Sequence, residues 1–271
     1  MRRGLTHFWQ MNLAVIAGVA VTTAVLTGAL LVGDSLRGSL QHLTLDRLGT
    51  IEQALLNNRL FPADLAERLA AQAPARDQDL QVVPALLLQG SAVHPSSEQR
   101  ASSVQVIGID ARFPGLYPDL ARGNLDVARR DGQIFPSVVI NEALQKELGA
   151  APGDDLLLSF GRPTAVPSAS LLGRREQQDL LTTLRVTVTR ILAASGPGRF
   201  SLEASHNRPL NAFVDLQSLQ RRLDRSGEVN LTLVGSSAPT RGHARVEAAS
   251  LEAMLQEALR VGDLGLRVLT E

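Results

Sequence analysis

MNLAVIAGVAVTTAVLTGALLV, running from Met11 to Val32, carries no charged side chain and is polar only at Asn12 and three threonines. As an α-helix rising about 1.5 Å per residue it would be roughly 33 Å long, enough to cross a hydrocarbon core about 30 Å thick. A helix satisfies its own backbone hydrogen bonds in lipid, so an apolar run on every side is tolerated there. The stretch therefore reads as a membrane span. Its flanks set the orientation: the amino terminus, Arg2 and Arg3 precede it, whereas Asp34 and Arg37 follow it. The positive side stays in the cytoplasm, and residues 33–271 lie outside. His7, Phe8 and Trp9 fall where aromatic side chains anchor a helix end. A cleaved signal peptide has an apolar region of only about 7 to 15 residues. The small-residue sequence Thr27-Gly28-Ala29 lies inside the apolar run rather than after it, so the reading is an uncleaved single-pass anchor in the plasma (inner) membrane.

The chain has 271 residues, 44% of them hydrophobic, and no formal net charge or cysteine. What remains after the span is long enough for a domain with a substantial core. Without cysteine there is no disulfide framework, thiolate metal site or cysteine nucleophile. Lys146 is the only lysine, and aromatic residues make up 3% of the chain. With neither a basic excess nor a stacking platform, nucleic acid is set aside as a partner.

After the span, Leu36, Leu40, Leu43 and Leu48 recur at near-helical spacing among polar residues, and Gly49 supplies a stop. This is either a stalk continuing the span or a new helix capped by Asp34 or Ser35 after a break at Gly33. Ile51 to Asn57 reads as a strand and Pro62 to Ala71 as a helix, with Ala73 to Gln78 breaking it. Leu80 to Gln89 and Val104 to Ile109 read as a hairpin around the turn-rich Gly90 to Ser103. Beyond Asp110, Pro114, Gly115, Pro118, Gly123 and Gly132 punctuate a loop. Pro136 to Ile140 is a strand, Asn141 an N-cap, Glu142 to Leu148 a helix closed by Gly149, Ala151 to Asp154 a turn and Leu156 to Phe160 a strand. Gly161 to Gly173 reads as an exposed loop. Thr182 to Leu192 alternates like a half-buried strand, ended by Ser195 to Gly198. Leu210 to Val214 and Val229 to Val234 read as strands around a helix from Asp215 to Leu223, and Val246 to Arg260 as a final helix. The fold class is α+β: one N-terminal transmembrane helix, then a mixed α+β extracytoplasmic domain. The corresponding organisation is a cytoplasmic N-terminus over residues 1–10, a transmembrane helix over 11–33, a stalk helix over 34–49 and the exported domain over 50–271.

Gly33-Asp34-Ser35-Leu36 spells the signature of a serine esterase family. That chemistry needs the serine on a tight strand-to-helix turn, an oxyanion hole and a base histidine held by a carboxylate. The family's Asp-x-x-His has no counterpart: Ser91, Glu203 and Thr240 stand three residues before His94, His206 and His243, and Glu203-Ala-Ser-His206 is the nearest approach. Ser35 directly follows the span, at the lipid headgroups, where a polar helix boundary is the plainer reading. No histidine has a second one at i+4, so no metal site is expected. Lys146 sits between Gln145 and Glu147, outside any phosphate loop, so ATP-driven work has to come from another chain. The expected inventory is thus no catalytic, cofactor-binding or metal-ligating residue in this chain.

VVINEALQKELGAAPGDDLLLSF, from Val138 to Phe160, behind a basic N-terminus, a span and a stalk, resembles the N-terminal part of an ABC transporter permease of the MacB/FtsX type, with its MacB-like periplasmic core domain. In that family a strand leads to a helix ending in Leu-Gly, then a Gly-Asp turn enters the next strand; the counterparts are Leu148-Gly149 and Gly153-Asp154. Val106 to Ile109, Val229 to Val234 and Gly33 to Gly38 carry further likeness. The resemblance implies a permease that is not itself an enzyme. Its implied partners are a cytoplasmic ABC ATPase subunit, the lipid bilayer, a second permease copy in a dimer and a periplasmic partner. It implies no cofactor and no catalytic residues, and coupling of ATP hydrolysis to export or extracytoplasmic mechanical work. Such permeases have three further membrane helices after this domain, so the chain is expected to be a fragment or a truncated product. The alternatives are a single-pass anchored extracytoplasmic binding module and, third, the esterase.

Overall fold

A computed structural model describes residues 9–72, 80–118, 120, 125–128, 134–161, 181–203, 208–236 and 248–260. The chain divides into two compact units, Met1–Asp46 and Arg47–Glu271. Helix α1 (Trp9–Leu48) forms the first and ends in the second. It runs through Gly33, Asp34 and Ser35 without a break, so the new helix cap considered at Asp34 or Ser35 is not made. Its segment Trp9–Ser39 is long and apolar enough to cross a membrane. Val15, Ile16, Val19 and Leu30 are exposed on it, the all-round apolar character of a helix solvated by lipid rather than packed on one face. Thr22 returns its hydroxyl to the Gly18 carbonyl at 2.8 Å, which hides a polar group where water is excluded.

Among the described residues, the second unit has eight strands: β1 (Ile51–Pro62), β2 (Leu80–His94), β3 (Gln99–Ile109), β4 (Ser137–Asn141), β5 (Asp155–Gly161), β6 (Leu181–Leu192), β7 (Leu210–Asp215) and β8 (Glu228–Ser236). Their order is β1-β8-β2-β3-β7-β4-β6-β5, with β5 returning to pair with β2. The pairings β3–β7 and β4–β6 are parallel and the others antiparallel. The last pairing closes a ring through β2, β3, β7, β4, β6 and β5, which removes the open edges of those strands.

β2 makes this closure possible because one of its edges serves two partners in turn. Leu80 to Ala85 pair with β8, and Gly90 to Val93 pair with β5. Between them, the side chain of Asn230 accepts from the Leu87 N–H at 2.8 Å and donates to the Leu87 carbonyl at 2.8 Å, doing what a strand backbone would do. At Gly90 the register shifts, and a side chain there would overlap the carbonyl oxygen of Ser159 on β5. Gly90, read as the start of a long turn, is therefore a bulge inside a continuous strand. The hairpin turn shrinks to Pro95 to Glu98.

Among the described residues, helices α2 (Asp64–Gln72), α3 (Glu142–Leu148), α4 (Leu216–Leu223) and α5 (Ala248–Ala258) accompany the sheet. Pro62, expected in the first turn of a helix, instead ends β1 opposite Glu228, and α2 begins at Asp64. Alternation along the strands sorts two cores. Leu86, Val106, Ile140, Leu158, Val186 and Val214 face the helices. Val83, Ile107, Val139, Phe213, Leu231 and Leu233 face a layer supplied by Phe113, Leu116, Tyr117, Leu125, Val127 and Phe200. The segment expected to be a plain loop after Asp110 thus holds a 3-10 turn (Phe113–Leu116) and buries Phe113, Leu116, Tyr117, Leu125 and Val127. The expected loop from Gly161 to Gly173 lies outside the described residues after its first residue.

Candidate functional site

One close approach of chain segments outside the sheet is at the start of the second unit. After Leu48, Gly49 takes the left-handed conformation at φ +60°, where glycine carries no steric penalty. A Cβ at this position would overlap the Leu116 carbonyl oxygen and the Tyr117 ring. That closeness brings polar groups into register. The Thr50 N–H and hydroxyl donate to the Leu116 carbonyl at 2.9 and 3.1 Å, and the Tyr117 hydroxyl donates to the Arg47 carbonyl at 3.1 Å. The Tyr117 bond satisfies one of the carbonyls a helix end leaves unpaired. Arg47 also donates to the Glu203 carbonyl at 3.3 Å, and Ile51 enters the sheet opposite Gly235.

Beneath this junction lies an aromatic cluster. Phe113 packs against Tyr117, Phe200 and Phe213 at centroid distances of 5.7, 5.8 and 5.9 Å, the Phe200 contact being edge-on. Such pairs add about 0.5–1.5 kcal/mol each beyond their buried area. Leu48 packs on the same core. The end of α1 is therefore seated on a stiff base made from three separate loop and strand segments. The local sequence announces this site at just two residues. Tyr117, the only tyrosine, and Gly49 are its legible signals.

The Val138 to Phe160 segment forms a second convergence. Buried Asn141 uses its full hydrogen-bonding capacity: Oδ1 accepts from the N–H groups of Leu144 at 3.0 Å and Asn211 at 3.1 Å, while Nδ2 donates to the carbonyls of Gly198 at 2.8 Å and Pro209 at 2.7 Å. It is the expected N-cap of α3 and also the tie between that helix and β7. Gly149 closes α3 in the left-handed conformation at φ +61°, as expected. In the exposed first turn, the Lys146 ammonium beside Glu142 holds its carboxyl below the usual carboxylate range.

His94 joins the β2–β3 turn to this segment. Its Nδ1 lies 2.8 Å from Ser97 Oγ and 3.2 Å from the Leu148 carbonyl, and its Nε2 lies 3.5 Å from Asp154 Oδ2. Ser97 also donates to the Leu148 carbonyl at 3.2 Å, and Asp154 accepts from the Ala151 N–H at 2.8 Å. Each group is thus engaged in fastening one turn to another. Ser35 sits within α1 rather than on a strand-to-helix turn, and Glu203 contributes its backbone to the junction. His206 and His243 lie outside the described residues. Among the described residues there is no group of three His, Asp or Glu side chains placed to hold a metal ion.

The fold has likenesses among solved structures. The periplasmic region of MacB from Actinobacillus actinomycetemcomitans is 14% identical over 75% of this chain and 75% of that one, with a TM-score of 0.42. The extracellular domain of the noncanonic ABC-type transporter YknZ from Gram-positive bacteria is 14% identical over 79% of this chain and 96% of that one, with a TM-score of 0.39. Among curated proteins no match is found. The family model of the MacB-like periplasmic core domain matches residues 13–255, which takes in most of α1, the junction, the closed ring and the Asn141 segment, and the chain therefore belongs to that family of ABC transporter permease domains.

Proposed function

We propose that this chain is the anchor and first extracytoplasmic domain of a permease that couples ATP hydrolysis by a cytoplasmic partner subunit to export or mechanical work outside the membrane. The observation that carries this reading is the junction at Arg47 to Ile51. A helix end held by Tyr117, Leu116 and Glu203 on an aromatic base can pass a rotation or tilt to the domain instead of dissipating it in a flexible linker. The chain has no Gly-Lys-Ser/Thr sequence, so the ATP-driven step belongs to the partner. The permease works as a dimer in the bilayer, with residues 1–10 in the cytoplasm, 11–33 in the membrane and 34–49 as the stalk.

Two expected results follow for the permease in its native membrane. Each helical residue turns the chain by about 100°, so two residues inserted after Leu40 swing everything beyond by about 200°, whereas seven nearly restore the phase. Transport-dependent growth should fall sharply with two added residues and much less with seven. Equal tolerance of both would refute transmission through the helix. A reporter fused after Glu271 that works only outside the cytoplasm should be active, given Arg2 and Arg3 before the span. Activity of a cytoplasm-only reporter at that position would reverse the topology.

A further inference from the structure

One buried amide fixes the backbone beside two arginines that come from separate segments. Asn141 Nδ2 donates to the Gly198 carbonyl at 2.8 Å and to the Pro209 carbonyl at 2.7 Å, and these residues adjoin Arg199 and Arg208 in the chain. Gly198 is itself confined, because a side chain there would overlap the Ala193 carbonyl oxygen. The backbone that carries both guanidinium groups is thus set before any ligand arrives, which removes part of the ordering cost of binding. Arg199 and Arg208 line a small cleft together with Lys146 and Glu142 of α3. The charges there do not balance. Three cations accompany one carboxylate, an excess of two positive charges in a chain whose 27 lysine and arginine residues match its 27 aspartate and glutamate residues. Glu142 is committed to Lys146, and the Ala194 backbone and Arg208 add to the pull that keeps its carboxyl below the usual range. Exposed Arg208 makes no salt bridge to it, and half-buried Arg199 has no ion pair among the described residues.

We propose that this cleft docks an acidic segment of an extracytoplasmic protein partner, whose carboxylates are received by Arg199 and Arg208. Size argues for a side chain rather than a free ligand. The cleft holds about 20 Å³, room for one water-sized group, whereas small-molecule pockets run to about 300–1,000 Å³. The donors suit a carboxylate, because a guanidinium presents paired N–H groups at the spacing of two carboxylate oxygens. A second copy meeting this face across a two-fold axis would set cation against cation, so the partner offers a different surface. The placement outside the cytoplasm rests on the topology proposed above, and the two fail separately: the reporter fusion tests the side of the membrane, and a binding titration tests the cleft.

The titration uses the full chain in nanodiscs of zwitterionic lipid and fluorescein-labelled octapeptides that alternate alanine with glutamate or with glutamine, followed by fluorescence anisotropy. Saturable binding of the glutamate peptide is expected, with the glutamine peptide about 10-fold weaker or more. Raising sodium chloride from about 50 to about 300 mM should weaken the glutamate peptide further. Arg199→Gln combined with Arg208→Gln should weaken it about 10-fold, since charge-assisted hydrogen bonds are lost at both positions. Arg59→Gln combined with Arg100→Gln removes the same charge at two exposed positions elsewhere and should change it less than about 2-fold. Glu142→Gln removes a like charge from the cleft and should tighten it about 3-fold, a gain that damaged folding cannot produce. Equal affinity for the two peptides, or glutamate-peptide binding that survives loss of both Arg199 and Arg208, would overturn the site. Displacement of the peptide by an equal concentration of inorganic phosphate would assign the cleft to a free or lipid phosphate and overturn the protein partner.

Discussion

Replacing Asn141 with alanine is expected to destabilise the domain by about 4 kcal/mol, the largest loss foreseen for any polar side chain in it. The side chain is 2% exposed and holds two N–H groups and two carbonyls at once. Alanine removes an N-cap, worth about 1 kcal/mol, strands the N–H of Asn211 and the carbonyl of Gly198 away from water, and leaves the partly buried Pro209 carbonyl without its donor. Each buried group left so costs about 1–3 kcal/mol, less where a carbonyl keeps a second partner. Against a total stability of about 5–15 kcal/mol, the variant would sit near the margin of folding. Serine at the same position should recover about 1 kcal/mol, since a hydroxyl still caps α3 and cannot span the remaining partners. Pulse proteolysis of the detergent-solubilised chain across a urea series measures all three proteins. Loss of less than 1 kcal/mol in the alanine variant would show that water or backbone shifts replace these bonds.

Gly49→Ala is the second large effect, expected at about 3 kcal/mol and concentrated at the junction. A left-handed conformation costs an alanine about 1 kcal/mol, and the remainder comes from contact with a backbone atom. The added methyl would overlap the Leu116 carbonyl oxygen, which cannot swing aside while it accepts from Thr50. Gly149→Ala provides the comparison. Its φ is +61°, nearly that of Gly49, and the nearest atom to a new methyl is the end of the flexible Gln99 side chain at 3.3 Å. That variant should lose only about 1 kcal/mol. The same proteolysis series reports stability, and the cleavage pattern reports place: Gly49→Ala should expose the Arg47–Leu48 peptide region to trypsin well before the sheet unfolds. Equal losses in the two variants would mean that the junction relaxes freely, which would also remove the support it lends to a coupling role.

Local features of this chain could be read directly from its residues because their causes lie within a few positions. The uncharged run from Met11 to Val32 specifies a long apolar helix by composition alone. Asn141, Gly149 and the Gly153-Asp154 turn mark the ends of α3 and the start of β5, since caps and turns depend on backbone conformation and neighbouring N–H groups. The alternation of Leu184, Val186 and Val188 likewise revealed a half-buried strand. Tertiary structure decided what those elements meet. Gly90 has the chemistry of a turn residue, and only the arrival of β5 against it makes it a bulge that lets β2 continue to His94. Phe113, Tyr117, Phe200 and Phe213 are scattered along the chain, and the parallel pairing of β3 with β7 brings their segments together beneath the Arg47 to Ile51 junction. Contacts of this kind are selected by how well distant surfaces bury and pair with one another, a free energy that no short stretch of residues contains.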